Sequence, residues 1–347
     1  MVKISDVAAA AEVSPAVVSR VLSGDTSLRV SAVTRDRVLS AARELDYVPN
    51  HSARSLRTSR TSTVALVVPD VTSAVFAALA EGAELEATAR GLAVVLSRSE
   101  RLESDSGWLR RLVGEGRIDG VILQPPDGTS VAALEAMAPQ AGPIVVINSV
   151  DEGPFSTIVL DDAAGIRMAI EHLHGIGHTD LGFVGGLPGS ATGDRREAAF
   201  RTAMARYGLP VRDEWTTALG YTGDDGRAAA DALLGRDTRP TALVVANLNA
   251  ALGVLAEIHG RGLRVPQDIS IVAIHDVWYA DAIWPPITTV RMPLRELGAA
   301  AVSLLTEATG PVVHRAITTP PPELIVRAST LPVGGSDEPG TPRPVGG

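Results

Sequence analysis

The sequence predicts a small all-α helix-turn-helix unit followed by an α/β body of two doubly wound, parallel-sheet lobes. Residues 1–48 hold three short helical patterns, each with its own start signal, and from Thr63 onward short apolar runs alternate with amphipathic segments. Charge separates the two parts as well. Residues 1–60 carry nine Lys and Arg against six Asp and Glu, so this stretch is +3 while the rest of the 347-residue chain totals −12. A basic module on an acidic body is the layout expected when only that module approaches a polyanion.

Each element has a local reason. Ser5 reads as the N-cap of a helix through DVAAAA, with Val7 and Ala11 on one face. Ser14 reads as the next cap, and Pro15 stands at the first helical position, where its missing N–H costs nothing, ahead of AVVSRVL. The third helix starts near Ser31 and runs to about Leu45, with Val38, Ala42 and Leu45 at helical spacing. Two short helices joined by a tight turn, with a longer one across them, describe a helix-turn-helix. In the second helix Val17, Val18 and Val21 face the others and leave Pro15, Ala16, Ser19 and Arg20 outside. In a major groove, Arg20 can bond guanine through two N–H groups, Ala16 can touch a thymine methyl, and Ser14 and Ser19 can bond phosphates. The plain alternative is a three-helix domain with a solvated face.

The next stretch, PNHSARSLRTSR at 49–60, sets three arginines and a histidine around one apolar side chain, Leu56. A spacer needs Gly, Ser or Pro for reach and has no use for that pattern.

The body alternates TVALVVP, AVVLS, GVILQ, PIVVIN, TIVL, DLGFVGG, TALVVAN and ISIVAI with amphipathic segments, the signature of buried parallel strands covered by helices on both faces. Ligands bind such sheets beyond the carboxyl ends of the strands, so the cleft between lobes is the default pocket. Enzymatic readings find little support. VGGLPGS at 184–190 lacks both the GxGxxG spacing and a P-loop lysine and reads as a turn. His172, His174 and His178 have no carboxylate completing a metal pattern, and on a helix the first two point roughly 200° apart. No GxSxG elbow occurs, so no catalytic residue, metal or cofactor is expected. The absence of cysteine excludes disulfides and thiolate zinc sites. With no apolar run of about eighteen residues and no leader-like start, the chain reads as cytoplasmic.

ISDVAAAAEVSPAVVSRVLSG, followed by VSAVTRDRVLSAARELDYVPNHSARSLRT, closely resembles the DNA-binding headpiece of the lactose-repressor (LacI/GalR) family of bacterial transcription regulators. One departure is Glu12, where the family usually has glycine in the tight turn; a left-handed backbone there costs Glu on the order of 1 kcal/mol. The resemblance implies that Asn50 to Thr58 form a hinge helix that orders on operator DNA, with the paired hinges of a dimer in the minor groove and the family's wedge on Leu56. The spacing agrees. Ala53 and Leu56 are i, i+3 neighbours, so an apolar wedge can part a base step while Arg54 and Arg57 neutralise phosphates. So short a helix does not persist alone in water. The DNA-contact set implied is therefore Ser14, Pro15, Ala16, Ser19, Arg20, Thr34, Asn50, Ala53, Arg54, Leu56 and Arg57.

The resemblance continues from about Thr63 to Leu331 through LVVPDVTSAVFAALAEGAE, GDRREAAF, TALVVANLNAALG, RGLRVPQDISIVAIHD and PPITTVRMPLRELG. These look like the family's effector domain, which is similar to periplasmic sugar-binding proteins. Carried over by position, the pocket candidates are Ser73, Phe76, Asp161, Arg196, Tyr221, Asn247 and His275. The family commonly has Asp-Asp after the late strand and Asn-Asp after ALVVA, where this chain reads His275-Asp276 and Asn247-Leu248. A neutral histidine offers one donor and one acceptor where a carboxylate only accepts, so a polyhydroxyl ligand would be held differently.

Residues 332–347 contain nine Gly or Pro and no apolar heptad, and are expected to be disordered and to supply no tetramerising coiled coil. The domains expected are thus a helix-turn-helix unit (1–48), a hinge (49–60), a two-lobed effector and dimerisation domain (61–331) and a tail. The function expected is that of a dimeric, ligand-responsive repressor on a pseudo-palindromic operator, with a sugar-like effector that alters the angle between lobes and hence the hinges. The rivals are a solute-binding protein, which needs an export signal, and an enzyme on a Rossmann-like lobe, which needs a nucleotide fingerprint.

Overall fold

A computed structural model describes residues 2–25, 27–47, 60–105, 107–137, 142–149, 153–307 and 310–334. The chain divides into two compact units, Met1–Ser62 and Thr63–Gly347.

The first unit is three helices, α1 (Ile4–Ala10), α2 (Pro15–Leu22) and α3 (Ala32–Glu44), closed on Val7, Ala8, Ala11, Val18, Val21, Val38, Ala41 and Ala42. Ser14 caps α2 by accepting from Val17 N–H, with Pro15 at the first position, and Ser31 caps α3 by accepting from Thr34 N–H. The first helix departs from its sequence reading: Ser5 is not its cap. The helix starts two residues earlier than expected, at Ile4 with Lys3 as its cap, because the Asp6 carboxylate reaches back 2.8 Å to Lys3 N–H, satisfying an otherwise orphaned donor. Glu12 does adopt the left-handed backbone of the tight turn, at φ 50°.

The second unit holds two six-stranded sheets. The first has the order β11-β5-β4-β3-β1-β2, with β1 (Thr63–Val68), β2 (Ala93–Arg98), β3 (Gly120–Leu123), β4 (Ile144–Ile147), β5 (Ser156–Leu160) and β11 (His314–Ile317) all parallel. The second has the order β12-β10-β9-β8-β6-β7, with β6 (Leu181–Gly185), β7 (Thr216–Ala218), β8 (Ala242–Val245), β9 (Ser270–Ile274), β10 (Thr288–Arg291) and β12 (Glu323–Ile325). Here the expectation of purely parallel sheets needs correction, because β12 runs antiparallel to β10.

Between the strands lie α4 (Ala74–Ala89), α5 (Arg101–Ser104), α6 (Trp108–Gly114), α7 (Val131–Met137), α8 (Asp162–Gly175), α9 (Ala191–Arg206), α10 (Gly223–Leu234), α11 (Leu248–Gly260) and α12 (Leu294–Thr306). The chain passes between lobes three times. After β5 it enters α8, which packs on the second sheet; after β10 it enters α12, which packs on α4 and the first sheet; after β11 it returns as β12. Small residues let the backbones touch where these helices cross. A Cβ at Gly298 of α12 would collide with the Leu79 carbonyl of α4. One apolar cluster joins the sheets, running from Leu66 and Ile147 to Val244 and to Phe183, whose ring stacks on Phe200 at 4.9 Å.

Among the described residues no helix is long and apolar enough to cross a membrane. Of the expected tail, Val333 N–H donates to Ile176 O at 3.1 Å, so its first residues are tied to the body; residues 335–347 lie outside the described residues.

Candidate functional site

Two surfaces carry the expected site residues, one in each unit. In the first, Ser14, Pro15 and Ala16 are exposed at the start of α2, and Ser19 and Arg20 are half-exposed one turn on. Thr34 is half-buried, and its hydroxyl shares a 2.8 Å hydrogen bond with Ser31 at the start of α3. A helix whose first turn carries proline, alanine and serine outward, with valines inward, offers an apolar, close-fitting edge to a groove and leaves Arg20 as its charged donor. The hinge residues Asn50, Ala53, Arg54, Leu56 and Arg57 lie outside the described residues.

In the second unit a cavity of about 350 Å³ opens where the strands of both lobes end. Its polar lining follows the strands one by one: Asp70 and Ser73 after β1, Gln124 after β3, Asn148 after β4, Tyr221 after β7, Asn247 after β8 and His275 after β9. Six of the seven expected pocket residues meet there: Ser73, Phe76, Arg196, Tyr221, Asn247 and His275. Asp161 does not line it. Its carboxylate caps α8, accepting from Ala164 N–H at 2.9 Å, so the carry-over by position is corrected at this residue.

The adjacent Asp162 does the electrostatic work. Buried to 2% side-chain exposure, it accepts from Arg196 Nε at 2.8 Å and from Arg195 Nε at 3.0 Å. Arg196, itself buried, further donates to the Ala246 carbonyl at 2.6 Å and to His275 Nε2 at 2.9 Å. A guanidinium only donates, so His275 Nε2 is the acceptor, and the neutral ring carries its proton on Nδ1. That Nδ1 is buried without a protein partner among the described residues. Burial, reinforced by the Arg196 charge, pushes the His275 pKa well below the usual histidine value, so the ring is neutral near pH 7. His275 and Asn148 both sit at positive φ, 73° and 51°, a local cost that concentrates at ligand-facing loops.

The other candidates are held in place by their own bonds. Asn247 accepts from Ala250 N–H at 2.7 Å and donates to Tyr221 O at 3.0 Å, so its amide serves the loop as much as any ligand. The Tyr221 hydroxyl lies 3.3 Å from Ser190 Oγ, and burial raises its pKa. Gly186 makes room for this ring; a Cβ there would overlap it. Ser73 accepts from Asn249 Nδ2 at 3.0 Å across the lobes, Thr192 Oγ1 donates to Asn148 O at 2.9 Å, and Arg195 Nη1 donates to Ser149 O at 2.9 Å.

Sequence reasoning missed Asp70, Gln124, Asp127, Asn148, Thr192 and Asn249, all of which line the cavity. The signal was available for Gln124 and Asn148, the first residue after a strand-like run; nothing local marked Asn249, which lies inside a helix. Leu248, where the family commonly has an acid, turns into the core and is fully buried. Two of the three histidines are hydrogen-bonded, while His174 Nδ1 is buried without a partner among the described residues. His178 bonds Thr241, Ser270 and Leu331 O, His172 bonds Thr330, and His174 packs on Tyr207.

Residues 3–50 match the family described as bacterial regulatory proteins, lacI family, and residues 170–330 match a periplasmic binding protein-like domain. The chain is 34% identical over 311 residues to catabolite control protein A of Priestia megaterium, covering 88% of this chain and 92% of that one. Among solved structures it is similar to the lac repressor dimer bound to operator and the anti-inducer ONPF, with a TM-score of 0.79, 27% identity, and 95% and 99% coverage of the two chains. It is also similar to a transcriptional regulator CelR–cellobiose complex, with a TM-score of 0.69, 29% identity, and 95% and 100% coverage.

Proposed function

The chain belongs to the lacI family of bacterial regulatory proteins and is a DNA-binding transcriptional regulator, and from that premise we propose that it is a repressor which binds a pseudo-palindromic operator as a homodimer and responds to a neutral, sugar-like effector in the cavity between its lobes. The observation that carries the effector assignment is the lining of that cavity. Hydroxyls and amides from both lobes surround it, with the rings of Phe76 and Tyr221 as apolar faces. Charge narrows the ligand. Asp70, Glu100, Asp127 and Asp225 line the cavity against Arg196, whose charge is already faced by Asp162. A carboxylate or phosphate ligand would meet repulsion there, whereas a polyol finds donors and acceptors. The cellobiose held by the similar CelR regulator supports the same class.

A dimer is supported by apolar surface that a lone chain would expose. Trp278 and Trp284 are 79% and 82% exposed, and β2 is an edge strand showing Val95 and Leu96. The lac repressor, similar along nearly the whole chain, binds operator as a dimer. Two-fold symmetry then sets two half-sites. The proposed DNA contacts are the start of α2, with Arg20, and the hinge around Leu56.

The test is a fluorescence titration of the full-length protein on genomic fragments at physiological salt, with a panel of mono- and disaccharides, sugar phosphates and sugar acids screened by the rise in melting temperature. A preferred site with two half-sites, loosened by Leu56→Ala and shifted by an uncharged sugar, is the expected result. Binding without a preferred site overturns the reading of the DNA contacts, and stabilisation by sugar phosphates or acids alone overturns the effector class.

A further inference from the structure

The C-terminus of α2 closes in a Schellman turn. Gly24, at φ 70°, donates its N–H to Val21 O at 3.1 Å, and Asp25 N–H donates to Arg20 O at 3.0 Å. This pattern sets the side chains of residues 20 and 25 beside one another, a place where an apolar contact is usual. Here they are an arginine and an aspartate. Asp25 Oδ2 accepts from Arg20 Nε at 2.7 Å, and Ser27 Oγ accepts from Arg20 Nη2 at 3.0 Å. Asp25 Oδ1 in turn accepts from the Ser27 backbone N–H at 2.8 Å and from its hydroxyl at 2.6 Å. Every donor and acceptor role in this ring of bonds is consistent.

The geometry uses one edge of the guanidinium and spares the other. Of its five N–H groups, Nε–H and one on Nη2 are engaged among the described residues, leaving both on Nη1 and the second on Nη2. Those remaining protons form the outer fork, which fits O6 and N7 of a guanine. The Arg20 side chain is 41% exposed, so that fork is open to a partner.

We propose that Asp25 and Ser27 are positioning residues for base reading: they clasp Arg20 by its inner edge and present its outer edge, already oriented, to a guanine in the major groove. The proposal rests on the reading of Arg20 as a base contact. A carboxylate at a DNA-facing surface otherwise opposes binding, because it repels phosphates. Hydrogen bonds from the Ser27 hydroxyl and from Arg20 lower the Asp25 pKa to about 2, so it is ionised at any pH where the protein works. The clasp gives up general attraction for orientation, since the rotamer freedom of Arg20 is lost in the free protein and not on binding.

This predicts two opposite movements on Asp25→Asn. Affinity for random duplex holds or rises, because a repulsive charge is gone, while discrimination for guanine falls. A residue that merely held the fold together would lower both. In the test, full-length wild type selects from a randomised duplex pool, and the guanine whose preference Arg20→Ala abolishes is replaced by 7-deazaguanine, which lacks the N7 acceptor. Wild type loses about tenfold on the replaced duplex. Asp25→Asn loses at least about threefold less than wild type does and binds random duplex no more weakly; Ser27→Ala, which keeps the charge, shows a smaller change in the same direction. Circular dichroism melts confirm that each variant keeps its headpiece folded. If Asp25→Asn and Ser27→Ala keep full discrimination, or if affinity falls equally on all duplexes, the clasp is refuted and base reading by Arg20 stands. If Arg20→Ala leaves every guanine preference intact, or wild type selects no site, the reading beneath it fails as well.

Discussion

Replacing Asp162 with Ala removes the carboxylate that Arg195 and Arg196 share beneath the cavity. Asp162 is 2% exposed and Arg196 4%, so the pair is dry, while Arg195 at 26% keeps some access to water. Removing one partner of a buried ion pair costs about 3–5 kcal/mol, mostly because the remaining charge is left uncompensated. The lower end applies here, since Arg196 keeps the Ala246 carbonyl and His275 Nε2, and Arg195 keeps the Ser149 carbonyl. A loss of about 3 kcal/mol in a domain of this size lowers Tm by roughly 5 °C. Asp162→Asn restores the volume but not the charge, and sets an NH₂ against a guanidinium, so it recovers little. Calorimetry of wild type and both variants at pH 7.5 measures this. A shift under about 2 °C for Asp162→Ala, or full recovery by Asp162→Asn, would show that side-chain volume and not charge matters at this position.

Two further outcomes follow from the same structure. Burial lowers the pKa of His172, His178 and His275, so between their folded values and the unfolded value near 6.5 the unfolded chain binds more protons. Stability of the second unit is therefore fully present above about pH 6.5 and declines as pH falls below it, each histidine adding a slope of at most about 1.4 kcal/mol per pH unit; urea unfolding that is flat from pH 7.5 to 5.5 would contradict this. Glu12→Gly relieves a left-handed backbone at φ 50° and gives up only an exposed, 3.6 Å ion pair with Arg37. The headpiece gains on the order of 1 kcal/mol, seen as about fivefold slower hydrogen exchange at α1–α3 amides in the full-length protein; unchanged or faster exchange would mean the turn is not strained.

The parts of the fold that the sequence made plain are those where burial is complete. Seven of the eight apolar runs became strands because a parallel strand covered on both faces must be apolar throughout, whereas AVVLS formed β2, an exposed edge strand. Three strands escaped notice for the opposite reason, and a fourth, β10, although buried, for its polar residues. The strands β7 and β12 are short and half-exposed at the second sheet's edges, β11 is an edge strand exposing His314 and Arg315, and β10 hides two threonines that read as polar until their bonds are seen. Serine caps were legible where the side chain itself closes the turn, as at Ser14 and Ser31; at α1 the closing group is Asp6 reaching backward, and Ser5 misled. In the cavity, position after a strand was a sound guide for His275 and Asn247 and a poor one at Asp161. A crossover helix starts immediately after β5, and one residue decides whether a carboxylate caps it or pairs with Arg196.

The cavity also bears on how a ligand could act. Ser73, Asn148, Thr192 and Asn249 line it, and the same residues carry hydrogen bonds between the lobes, with Arg195 to Ser149 O beside them. A polyol that inserts among them exchanges lobe–lobe bonds for lobe–ligand bonds, so occupancy and lobe geometry draw on the same donors and acceptors. The two such bonds between lining residues, at about 0.5–1.5 kcal/mol each, contribute about 1–3 kcal/mol. Carrying a two-state protein from 1:99 to 99:1 requires about 5.5 kcal/mol of differential affinity. Hydrogen-bond exchange alone falls short, so a ligand that switches this protein fully must also bury apolar surface in one lobe arrangement and not in the other. Phe76 on the first lobe and Tyr221 on the second are the rings placed to make that difference.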